Sequence, residues 1–76
     1  MEQYKTQDIV LAATLKVHGY ALADIEILQR RGIFVFEDVD AEFINSYDLG
    51  RQTVEPVGFN NAIKSLTTSV RRMITD

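Results

Sequence analysis

Ile9, Ala12, Ala13 and Val17, with Lys16 in the same row, recur at the three- and four-residue steps of a helix. Leu11 and Leu15 broaden that stripe. Thr6 stands where an N-cap is wanted, Asp8 falls in the first turn, and Gly19 offers a left-handed stop. The pattern predicts a first helix over Thr6 to His18. The period then drops to two. Asp24-Ile25-Glu26-Ile27 alternates, and Ile33-Phe34-Val35-Phe36 is rich in strand-forming side chains. Strands are expected within Tyr20 to Leu28 and Ile33 to Glu37, joined by Gln29-Arg30-Arg31-Gly32 as a hairpin whose left-handed residue is Gly32. Two registers are open. A three-residue loop with a bulge places Ile25, Ile27, Ile33 and Val35 on one face and Phe34 and Phe36 on the other. A two-residue loop groups Ile25 and Ile27 with Phe34 and Phe36. Both leave large apolar groups on each face of the hairpin.

The helical period returns in an acidic stretch, Glu37-Asp38-Val39-Asp40-Ala41-Glu42, where Asp38 or Asp40 can cap a second helix. Val39, Phe43 and Tyr47 recur every four residues, and Leu49-Gly50 ends it. Arg51 to Val54 is a connector, with Thr53-Val54 able to add a short extended pairing. Pro56 suits a first helical position. Phe59, Ile63, Leu66, Val70 and Met73 then step by four and three, a heptad-like seam on a last helix from Pro56 to Ile74. The expected fold is α+β: helix, antiparallel β-hairpin, helix, helix, with a small sheet packed against the helices. Two strands alone are marginal in water. Lys5, Thr53-Val54 or the edge of another subunit can supply the missing support.

Length narrows the picture. Seventy-six residues hold one domain, 1–76, with no repeat or linker. No cysteine is present, so disulfides, thiolate-bound zinc and iron–sulfur clusters are excluded together. A chain this small has few ways to enlarge its core other than pairing with copies of itself. A homo-oligomer is therefore expected, with Phe34, Val35 and Phe36 as interface candidates. No apolar run approaches bilayer length, and Met1-Glu2-Gln3 begins no signal peptide, so the chain reads as cytoplasmic with no membrane partner.

Candidate chemistry is sparse. The carboxylates Glu37, Asp38, Asp40 and Glu42 could converge on a hard cation, but a helix N-terminus collects acidic residues without any metal. His18, the only histidine, suits the end of the first helix, and general-base work would need a partner that the sequence does not identify. Ser46, Ser65 and Ser69 sit in no nucleophile elbow, and the four glycines form no phosphate loop. No catalytic residue, metal or cofactor is assigned, and no enzyme is expected. The arginines are more informative. Arg30 and Arg31 lie at the hairpin tip, while Lys64 and Arg71 share a face of the last helix with Arg72 beside them. Arginine forks grip phosphates well, and Tyr4, Tyr20 and Tyr47 could stack on a base. Loop tips and outward helix faces are also charged simply for solubility. The formal net charge of −3 argues against extended nucleic-acid binding but permits a small phosphate-bearing ligand.

Taken together, Tyr4-Lys5-Thr6-x-Asp8 leading to Leu11-Ala12-Ala13-x-Leu15 and Gly19-Tyr20, then Phe34-Val35-Phe36-Glu37-Asp38, then Pro56-x-x-Phe59-x-Asn61-Ala62-Ile63-x-x-Leu66, resembles a family of short uncharacterised prokaryotic and phage proteins. The resemblance spans nearly the whole chain, and its residues are structural ones: a cap, a stop, a strand and a seam. It implies no activity that could be transferred. It does imply a phage or mobile-element setting, where small proteins act by binding. The expected function is thus a non-enzymatic, homo-oligomeric binding protein with a protein partner. The alternative is a binder of phosphate ligands, nucleic acid or a nucleotide messenger, through Arg30, Arg31, Lys64, Arg71 and Arg72.

Overall fold

A computed structural model describes residues 2–75, so the leader expectation on Met1 lies outside the described residues. The elements are β1 (Gln3–Thr6), α1 (Ile9–Val17), β2 (Leu22–Leu28), β3 (Arg31–Glu37), α2 (Ala41–Asp48) and α3 (Pro56–Thr75). The chain is α+β, with helix, hairpin, helix and helix in the expected order and an antiparallel sheet on one side of the helices. The sheet has three strands in the order β1-β3-β2. Lys5 supplies the missing support: it pairs with Val35 within β1, whereas Thr53 and Val54 join no strand.

That third strand displaces the start of α1. Thr6 ends β1, and its Oγ1 accepts a hydrogen bond from Asp8 N at 3.1 Å. The N-cap is Asp8, not Thr6, with Oδ1 accepting from Val10 N and Leu11 N at 3.0 and 3.3 Å. Five consecutive residues of α1, Leu11 to Leu15, are buried. A helix with so long a buried run packs against two neighbours at once, and α1 lies under the sheet with α3 beside it in the same helix layer. Ala12 and Ala13 keep those approaches short. Gly19, at φ 95°, ends the helix in the left-handed region as expected.

The hairpin takes the two-residue loop. Leu28 pairs with Arg31, Ile27 with Gly32, and Ile25 with Phe34. Ile25, Phe34 and Phe36 therefore face the helices, and the last two are 2% and 0% exposed. Ala23 is the extra residue of a bulge between Leu22 and Asp24. The left-handed positions are Gln29 and Arg30, at φ 52° and 65°, and not Gly32. Two such residues make a type I′ turn, for which Asn-Gly is the favoured pair. An L-residue held there costs roughly 1–2 kcal/mol. Replacing Gln29 with Asn and Arg30 with Gly together is expected to raise stability by about 1 kcal/mol. A urea titration reads this directly, and an unchanged or lower midpoint would contradict the turn assignment.

On the open face of the sheet Val35 is 1% exposed, although it stands apart from the helix-side core. Lys5 on β1 and Glu26 on β2 form an ion pair at 3.2 Å that reaches over β3. Lys5 is level with Val35, and Glu26 with Ile33, so the lysine stem covers the valine while its ammonium stays wet. This is how one layer of helices suffices for a hairpin with two apolar faces.

Asp40 caps α2, its Oδ1 accepting from Glu42 N at 3.1 Å, and Asp38 instead adopts a left-handed bend at φ 56°. Phe43 meets the rings of His18 and Tyr20 edge-on at 5.1 and 5.2 Å. Tyr47 donates to Asp8 Oδ2 at 3.3 Å. At the start of α3, Glu55 accepts from Val57 N and Gly58 N at 3.0 and 2.6 Å. The Gly58 and Val57 bonds hold its carboxyl below the ordinary value. A depressed folded pKa contributes stability that is present above the unfolded value and lost as pH falls through the folded one. Loss of α3 helicity in Glu55→Gln relative to the parent chain is thus expected at neutral pH. The difference should shrink as the pH falls through the ordinary carboxylate range and vanish only below the depressed folded value, where both caps are neutral. Circular dichroism across that range tests it.

Candidate functional site

Gly32 determines where the last helix lands. A Cβ built at this strand position would lie 2.6 Å from Val70 Cγ2, inside any real contact distance. The absence of a side chain lets α3 rest directly on β3. Leu66 and Ala62 pack α3 into the core, one and two turns earlier. The helices differ in length, however. Twenty residues of α3 extend about 30 Å, while nine residues of α1 cover about 14 Å. The final turns of α3 overhang the core, and an open groove of about 480 Å³ lies between them and the beginning of β3.

The groove has apolar walls from Ile9, Phe34, Val70 and Ile74, with Gln7 and Thr67 among its polar lining. Arg31 enters from the sheet and Arg71 from the helix. No carboxylate lines it among the described residues, and no ion pair reaches either arginine among them. Two cations from distant parts of the sequence thus meet at one apolar surface. Arg30, Lys64 and Arg72, the other basic candidates, do not line it. All three are exposed: Arg30 on the turn, Arg72 next along the helix, and Lys64 two turns before Arg71 on the same face.

The interface candidates are placed differently from expectation. Phe34 and Phe36 are used up in the core of the single chain, and Val35 is sealed beneath Lys5 and Glu26. None of the three offers surface to a partner, because β1 and the helices already cover them. The tyrosines are also removed from the arginines. Tyr20 packs on Phe43. Burial, then the Asp48 and Asp8 carboxylates, push the Tyr4 hydroxyl up. Burial and Asp8, followed by Asp48, do the same for Tyr47. None of them lines the groove.

The remaining polar candidates serve structure. His18 Nε2 lies 2.8 Å from the Thr53 carbonyl oxygen, so that nitrogen carries the proton and donates, tying the connector to the end of α1. Asp40 caps α2, and Asp38 N donates to Glu2 O at 2.9 Å. Among the described residues no group of three or more His, Asp or Glu could hold a metal ion. No helix of the described residues is long and apolar enough to cross a membrane. No family model, curated protein or solved structure matches the chain. The likeness to short phage and prokaryotic proteins therefore rests on the quoted residues alone.

What sequence reasoning missed is the groove itself. Val70 reads as core seam, Ile74 as the end of the last helix, and Ile9 as the helix stripe. The signal that could have found it is the mismatch in length between the first and last helices, which leaves more seam than partner.

Proposed function

We propose that this protein is a non-catalytic binding protein whose contact site is the groove between β3 and the end of α3, engaging an anionic group through Arg31 and Arg71. The observation that carries the reading is the convergence of two arginines on an apolar surface free of carboxylates among the described residues. Arginine offers a planar fork of donors to carboxylate or phosphate, and a neighbouring apolar wall strengthens such contacts by displacing water. Arg30 supports it further, since a strained arginine stands in a turn that glycine would stabilise. Amide spectra recorded with inorganic phosphate, oligothymidylate and a hexaglutamate peptide at low salt test the reading. At least one is expected to shift Arg31, Gly32 and Arg71, and Arg31→Ala with Arg71→Ala should abolish the shift without unfolding the chain. Silence from all three would sink it.

A second reading is self-association, favoured by the outer edges of β1 and β2, which pair with no strand among the described residues. Edge-to-edge pairing would extend the sheet across two copies. Light scattering at tens of micromolar (an order-of-magnitude choice for a stable interface) tests it, and a monomer there would exclude it.

A further inference from the structure

Resting on that reading of the groove, we infer that its occupant is an acidic peptide segment of another protein, with an aliphatic or aromatic anchor next to a carboxylate. Three observations select this chemistry over other anions. First, the surface between Arg31 and Arg71 is built from Ile9, Val70 and Ile74 over Phe34. A bare phosphate would leave those walls wet, whereas an apolar side chain fills them. Second, a nucleic acid needs ring faces on which to stack. The one aromatic residue in the groove is Phe34, which is 2% exposed; Tyr4 and Tyr47 lie elsewhere beside carboxylates, and Tyr20 packs on Phe43. The net charge of −3 would also repel a long polyanion, while a short peptide carries only the few charges that two arginines can meet. Third, the site is an open groove and not a closed cavity. Small ligands are held by burying most of their surface. An open groove suits a chain that enters and leaves at its ends, with one or two side chains set into it.

Exposed Arg30 and Arg72 flank the lining arginines in sequence and extend the basic border along the peptide's path. Recognition would therefore combine an apolar anchor, which sets affinity, with carboxylates that set register and respond to salt.

Selection of randomised nonapeptides by messenger-RNA display against the intact chain tests this. Enriched sequences are expected to pair Asp or Glu with Leu, Ile or Phe one to three positions away. An enriched peptide should lose roughly tenfold or more in affinity when its acids become amides, and likewise with Arg31→Glu and Arg71→Glu together. Circular dichroism confirms that this variant remains folded, and Glu42→Lys serves as a charge change remote from the groove. No enrichment, or enrichment without acids, or binding indifferent to both arginines would overturn the inference. If oligothymidylate or phosphate alone binds in an arginine-dependent way, the anion site stands and the peptide occupant falls. If nothing binds at all, both fall.

Discussion

Leu66→Ala is expected to remove roughly 2–5 kcal/mol of stability, enough to leave much of the protein unfolded at room temperature. Leu66 is 1% exposed and, with Ala62, is one of the two buried residues of α3, where the helix meets α1. Truncation removes the transfer energy of the lost carbons and leaves a cavity in a core that has few other layers to relax. A domain of this size holds only on the order of 5 kcal/mol in total. Glu42→Ala, on the exposed first turn of α2, is the control and should fall within about 0.5 kcal/mol of the parent. Urea titrations of both variants decide the matter. Equal midpoints would mean that α3 does not present Leu66 to the core.

The second large effect comes from adding atoms. Gly32→Val should cost about 1–3 kcal/mol, because its Cβ alone would overlap Val70. Strand propensity favours valine over glycine by up to about 1 kcal/mol, so the sign of the result separates local preference from packing. Val70→Ala removes the atoms in the way. The double variant should therefore be more stable than Gly32→Val alone, a coupling that a double-mutant cycle measures. If the two changes merely add, α3 does not lie on β3 at this point, and the groove beside it has the wrong shape.

Gly32 also shows why part of the fold was legible in the sequence and part was not. Element type and order follow from period and punctuation, which are local, and the seam from Phe59 to Val70 was visible for that reason. The role of Gly32 is tertiary: nothing within its own stretch says that Val70, about forty residues on, will rest on it. A glycine after two arginines looks like the turn residue, yet the turn uses Gln29 and Arg30. Strand β1 escaped for a similar reason. Tyr4-Lys5-Thr6 is too short to declare a period, and only the need of β3 for a second neighbour makes it a strand. Lys5 was identified as a source of support because two strands are too few, which is a physical requirement and not a pattern. The basic candidates were visible as residues but not as a set. Five cations were grouped by charge, and the structure brings Arg31 and Arg71 to one groove because the overhang of α3 ends beside the start of β3.

The strand order also constrains how the protein is made. Strand β1 leaves the ribosome before the strand it pairs with, β3, which follows about thirty residues later. During that interval α1 has emerged with five consecutive residues that the finished fold hides, and neither the sheet nor α3 exists to receive them. The nascent chain therefore passes through a stage in which its most apolar helix is uncovered. A pause in translation before residue 31 would lengthen the exposure, and a pause after residue 37 would let the sheet close over it. Synonymous codon changes that slow synthesis on either side of the hairpin should consequently differ in yield of soluble protein, although the finished molecules are identical.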